Sequence, residues 1–146
     1  MKKVIKWSLL IIWMGVIFKF SSQPAIVSDE KSKWVIYLFT IIGVNLNGVF
    51  GELSDFLVRK TAHFSEYFIL YLLMYNVVKE EFKIGKAILI SVLGVFLYAC
   101  TDEFHQTFII GREGRFRDVL IDTCGGISAA FVTFFITIIK YKSFRI

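Results

Sequence analysis

Four stretches of this sequence stay apolar for about the length a lipid bilayer demands, and this limits the fold more than any other feature. A crossing helix needs roughly 20 mostly apolar residues. The runs are Val4–Phe20, about Thr61–Val78, about Lys86–Phe108 and about Val119–Ile139. Across 146 residues, 56% are hydrophobic and 17% aromatic, far more than a soluble domain of this length carries. A lone proline, Pro24, and the lack of low-complexity sequence argue against disorder. The expectation is an all-α integral membrane protein with four transmembrane helices. It forms one domain over residues 1–146, with no room for a second.

The ends of the runs refine this. Lys2 and Lys3 precede the first run, as in a signal peptide. That run is long for a signal, however, and passes into Ser21-Ser22-Gln23-Pro24 with no A-x-A-like site, so it reads as an uncleaved anchor. Lys6 and Lys19 lie where their stems can snorkel to the headgroups. Polar turns at Lys79–Lys83 and Gly111–Arg117 make neighbouring helices antiparallel. The segment Trp34–Phe50 is apolar but slightly short, and Gly43, Asn45, Asn47 and Gly48 interrupt it. Val35, Leu38, Ile42, Leu46 and Val49 share a face at helical spacing, so it is predicted as an interfacial or re-entrant helix between the first and second spans.

Four spans put the N-terminus, the Lys79–Lys86 turn and the C-terminal tail on one side. Lys2, Lys3, Lys79, Lys83, Lys86, Lys140, Lys142 and Arg145 gather there, which makes that side, with both termini, cytoplasmic. The net charge of +5 therefore marks membrane anchoring, and without a basic helix interleaved with aromatics nucleic acid is excluded as a partner. Cys100 and Cys124 fall inside apolar runs with no CxxC, and are expected to be small buried residues.

Against this background the polar residues stand out. His63 and Glu66 open the second run, Asp102, Glu103, His105 and Gln106 close the third, and Asp118 and Asp122 open the fourth. Antiparallel threading brings all three groups to one membrane face. The spacing places His63 and Glu66 about 5–10 Å in from their helix start, at 1.5 Å per residue. Lys60, His63 and Tyr67 form a stripe with Glu66 beside it. Gly125 with Ala129, and Gly126 with Ala130, are small residues four apart that let helices approach closely. Ionisable groups in a membrane cost a few kcal/mol each, so they pair or line a wet cavity. Mutual pairing, such as His63 with Glu66, explains any one of them more easily than it explains the set. His105 reads as an interfacial residue, and Arg115 and Arg117 as solvated anchors.

These residues resemble the VanZ-like family. The pattern runs from Phe20 to about Gly126: FSSQP, then RK-x-x-HF-x-EY, TDEFHQTF and GR-x-x-x-x-x-D-V-x-x-D-x-x-G. Carried over, the family's polar positions fall on Ser22, Gln23, Lys60, His63, Glu66, Tyr67, Asp102, Glu103, Gln106, Arg112, Asp118 and Asp122, with Gly125. Many relatives carry Asn at the position of Asp122. The resemblance implies a small multi-helix protein of the bacterial cell membrane, whose founding relative is associated with resistance to the glycopeptide teicoplanin. It implies no known reaction.

Two classes of function follow. In the first, the chain is an envelope enzyme at the outer leaflet, with His63, Glu66, Asp102, Glu103 and Asp118 as acid–base groups. Lys60 and Arg112 would hold an anionic headgroup, with Gln23, Tyr67, Gln106 and Asp122 completing the substrate site. A membrane lipid or lipid-linked envelope precursor is then the partner. In the second, the same cluster binds a lipid or antibiotic without reaction. A transporter needs polar groups through the full depth, and nothing equivalent to this cluster appears at the Lys79 side. His63 among carboxylates could also bind a divalent cation, but no H-E-x-x-H spacing supports it. The sequence therefore assigns no metal ligand and leaves the cofactor open.

Overall fold

The computed structural model describes residues 2–143, and Arg145 of the basic tail lies outside them. The described residues form six helices and no strand: α1 (Lys2–Ser21), α2 (Ala25–Ile41), α3 (Leu46–Phe50), α4 (Leu53–Val78), α5 (Ile84–Gln106) and α6 (Phe116–Ser143). Three are long and apolar enough to cross a membrane: α1, α5 and α6 over Phe116–Lys140. The chain is thus a multi-pass membrane protein. Large apolar side chains point outward along these helices, as with Leu89, Leu93 and Leu97 on α5. In water such a stripe would be an aggregation hazard, whereas in hydrocarbon it is the normal surface.

The expected run at 61–78 lies within α4, which starts eight residues earlier, at Leu53. Its 26 residues make about 39 Å of helix. Its polar first half keeps it below the apolarity of the other three, and its position explains how that is tolerated. α4 packs against α1, α2, α3, α5 and α6, and its Tyr67, Leu70 and Tyr71 are fully buried. A helix wrapped by protein need not present an apolar surface all round.

α4 and α6 run parallel, with α1 and α5 antiparallel to them. Gly125 and Gly126 let α6 approach its neighbours closely. A Cβ on Gly125 would lie 2.2 Å from the Phe64 carbonyl oxygen of α4, and one on Gly126 would lie 2.7 Å from Val95 Cγ1 of α5. The two glycines thus seat α6 between both neighbours. Between helices in lipid there is little hydrophobic drive, so close packing and interhelical hydrogen bonds carry association. Trp13 Nε1 donates to the Glu66 carbonyl at 3.0 Å and the Tyr98 hydroxyl donates to the Met14 carbonyl at 2.7 Å, pinning α1 to α4 and α5.

Trp34–Phe50 is not one helix. α2 already begins at Ala25, directly after Pro24, whose restricted φ suits a helix start. It ends at Ile41; Gly43 turns the chain at φ 89°, and Asn45 Oδ1 accepts from the Gly48 N–H at 2.8 Å to start α3. The face expected to unite Val35, Leu38, Ile42, Leu46 and Val49 is therefore broken, and all but Leu46 are exposed. Ser32 and Ile36 are the buried residues of α2. Cys124 is also exposed rather than buried: it lies on the outward face of α6 with Leu120, Ile127 and Phe131. Cys100 is half-buried.

Candidate functional site

The ends of the bundle differ in chemistry. At the end holding the Lys79–Lys83 turn, Lys3 pairs with Glu81 and Lys6 with Glu80 on the surface. Accepting from Lys6 holds the Glu80 carboxyl below its ordinary range. At the other end the polar residues of α4, α5, α6 and the 107–115 loop converge.

The parallel register of α4 and α6 sets the first pairs. Lys60 Nζ lies 2.7 Å from Asp118 Oδ2, and one turn deeper His63 Nδ1 lies 3.5 Å from Asp122 Oδ1. His63 therefore faces Asp122 and not Glu66. Because α4 starts at Leu53, His63 and Glu66 sit about 15 and 20 Å along it, not in its first turns. The polar stretch before Thr61 remains helical because it packs on α2 and α3, and Arg59 forms an ion pair with Asp29 of α2.

α5 contributes a second layer. Gln106 Nε2 donates to Asp102 Oδ2 at 3.2 Å and to Glu103 Oε1 at 3.3 Å. Glu103 Oε2 accepts the Arg115 backbone N–H at 2.9 Å. Asp102, Glu103, Gln106 and Asp122 are all buried. Tyr67 is wholly buried, and its hydroxyl has no partner among the described residues. Arg115 itself pairs with Glu113 at the surface, as a solvated anchor would. His105 tilts over Phe18 with ring centroids 4.5 Å apart.

Arg112 links this layer to α1. Its Nε donates to the Gln23 carbonyl at 2.7 Å, Nη2 to the Phe20 carbonyl at 3.4 Å and Nη1 to Gln106 Oε1 at 3.2 Å. The loop is held in place by Ala25 N–H donating to the Ile110 carbonyl and by Gly111, at φ 76° against the Ala25 methyl. Among the described residues no carboxylate forms an ion pair with Arg112. Half-buried, its guanidinium is pushed down from its ordinary value by loss of solvent. The Gln23 side chain faces another way, accepting from Lys31 at 2.6 Å, while the Ser22 hydroxyl bonds its own helix.

Three cavities open here. One of about 260 Å³ is lined by Arg59, Lys60, Arg112, Arg115 and Arg117 with His63 and Asp118. A second, about 290 Å³, shares Arg59, His63 and Arg112 and adds Gln23, Lys31 and Glu66. The third is an apolar groove of about 510 Å³ between α4 and the α2–α3 arm, lined by Val35, Phe39, Leu46, Phe50 and Leu57. It joins the second through Val35, Val58 and Ala62.

A family model described as VanZ/LLP1 matches residues 6–138. The chain belongs to the VanZ/LLP1 family. No curated protein and no solved structure matches it. In this VanZ/LLP1 chain the eleven candidate residues come from α4, α5, α6 and the two connecting segments that hold Gln23 and Arg112. All eleven have side chains in the cluster or lining its cavities. Asp118 among them both pairs with Lys60 and lines the basic cavity. Sequence reasoning missed Ser28, Arg59 and Lys31 as cavity residues. For Ser28 and Lys31 the signal lay in the polar stretch Ser28–Lys33, which is the first half of α2, and for Arg59 in its place next to Lys60.

Proposed function

We propose that this protein crosses the bacterial cell membrane four times, through α1, α4, α5 and α6, with α4 as the second crossing and both termini cytoplasmic. Its polar end then faces outward and holds the anionic headgroup of a membrane lipid or lipid-linked envelope precursor. The observation that carries this reading is Arg112: a half-buried cation with no carboxylate partner, lining both polar cavities. Three of its five N–H groups serve the protein and two are left for a ligand. The adjoining apolar groove supports a lipid over a soluble anion, because an acyl chain fits where a sugar or inorganic ion gains nothing. The orientation is supported by the bases. At the polar end Arg59, Lys60 and Arg115 have acidic partners, whereas at the other end, beside the paired Lys3 and Lys6, Lys2, Lys79, Lys83 and Lys86 have none among the described residues.

His63 and Glu66 line the headgroup cavity and are the groups placed to move a proton on a bound headgroup. A second reading, binding without reaction, is favoured by Glu103 and Asp118, which are already engaged by Arg115 and Lys60. Native mass spectrometry of the full-length protein from mixed phosphatidylglycerol and phosphatidylcholine nanodiscs separates these ideas from error. Selective retention of the anionic lipid, weakened about tenfold by Arg112→Ala, is expected; a lost charge-assisted hydrogen bond is worth that much. Equal retention of both lipids would overturn the reading. If the protein is an enzyme, Glu66→Gln keeps binding and loses turnover. In a pure binder, affinity and teicoplanin susceptibility move together. Cysteine labelling at position 113 from outside the cell tests the orientation.

A further inference from the structure

Beneath the basic cavity, three helices bring His63, Asp102 and Asp122 together so that one donor atom from each lies within 4.8 Å of the other two. Asp122 is 1% exposed and neither of its oxygens has a hydrogen-bond partner among the described residues. Asp102 Oδ1 and His63 Nδ1 are likewise without one. Tyr67, one turn below His63 on α4, is fully buried, and its hydroxyl is also unpartnered among the described residues. His63 Nδ1 and Asp122 Oδ1 face each other at 3.5 Å, but buried polar atoms are nearly always satisfied, and Asp122 Oδ2 and Asp102 Oδ1 still lack a partner among the described residues. The partner must be positive. Two buried carboxylates repel each other, the cation Lys60 is spent on Asp118, and His63 answers only one of their oxygens, Asp122 Oδ1.

From this convergence we propose that His63, Asp102 and Asp122 bind a divalent cation. One imidazole with two carboxylate oxygens is a donor set for a first-row ion such as Mn²⁺ or Zn²⁺, not for a soft thiophilic metal. Two carboxylates offset its charge. Donors on one such ion sit roughly 3–3.5 Å apart, so each moves inward by about 1 Å, within the reach of side-chain rotation. The Tyr67 hydroxyl takes the outer-layer role of hydrogen-bonding a ligating carboxylate. The open side of the ion faces the cavity at His63, where the phosphate of a headgroup would complete its coordination. The site thus deepens the headgroup reading by making the bound headgroup a metal-bridged phosphate.

Co²⁺ is the probe, added to full-length protein carrying a histidine-free tag, stripped with EDTA in a non-ionic detergent without phospholipid. One saturable Co²⁺ per chain with visible d–d absorption is expected. Asp122→Asn weakens it at least tenfold, the double change Asp102→Asn with Asp122→Asn abolishes it, and His63→Gln changes the spectrum. Arg112→Ala, which weakens headgroup binding, leaves Co²⁺ in place, so failure of the headgroup reading and failure of the metal site give different results. Glu81→Gln at the opposite end is the control for surface carboxylates. Absence of saturable binding by the wild-type protein would overturn the proposal without any variant. So would Co²⁺ binding that survives the double substitution in a chain that still elutes as a single species.

Discussion

The two ends of this helix bundle manage charge in opposite ways. At the Lys79 end, Lys3–Glu81 and Lys6–Glu80 are complete pairs on an exposed surface. At the His63 end, Asp102 Oδ1 and Asp122 Oδ2 are buried without a partner among the described residues, and Arg112 is half-buried with no carboxylate ion pair among them. Exposed pairs of the first kind are worth little because water competes for both partners. Buried groups of the second kind cost several kcal/mol unless something compensates them, and a fold keeps them only where the rest of the structure over-determines their place. The contrast locates function at one end, and it can be broken by experiment.

The largest expected effect comes from the packing that forces the buried end together. Gly125→Val places side-chain atoms against the Phe64 carbonyl, which belongs to helix backbone and cannot step aside. Overpacking of this kind costs about 3 kcal/mol or more, so the variant should fail to accumulate as a monodisperse species on size-exclusion chromatography. Next is Lys60→Ala, which takes from Asp118 its closer partner in a half-buried setting, leaving Arg117 Nε at 3.8 Å, and should cost on the order of 1–2 kcal/mol in thermal stability. The double variant Lys60→Ala with Asp118→Ala should recover part of that loss. No recovery would mean that the two residues act separately.

A smaller effect is expected from Trp13→Phe, which keeps the ring and removes the hydrogen bond to the Glu66 carbonyl. Interhelical bonds in membranes average about 0.6 kcal/mol, so a shift in melting temperature of a degree or two is the expected reading. Smallest of all is Lys6→Gln, or Glu80→Gln, at the exposed end: neither should change the melting temperature or lipid retention. A change as large as that of Lys60→Ala would erase the difference between the ends.

Much of this contrast was legible in the sequence, and the boundary of what was legible has a physical cause. The apolar runs and their antiparallel threading depend on local composition and loop length, so gathering His63, Glu66, Asp102, Glu103 and Asp118 at one face required no tertiary information. The small-residue stripe at Gly125–Ala130 likewise announced a close approach. Three things did not show. The start of α4 was hidden because Arg59 and Lys60 look like the end of a span, and only their partners Asp29 and Asp118 make them tolerable inside a packed helix. The break at Gly43–Asn45 was hidden by an apolar periodicity that runs through it. The pairing of His63 with Asp122 depends on how α4 and α6 are rotated about their axes. No spacing along one helix records that, which is also why a donor set drawn from three helices carries no motif.

The position of α4 bears on how the chain is built. It is the least apolar of the four long helices and the innermost, and the acids facing Lys60 and His63 are on α6, which is synthesised after it. Until α6 arrives, α4 holds charges that no neighbour answers, so it cannot take up its final place when it first leaves the ribosome. A chain ending before Asp118 should leave the Lys60–Tyr67 segment open to protease, while α1 is already embedded. The bundle is then closed by its last helix, and the pocket comes into being only at that moment.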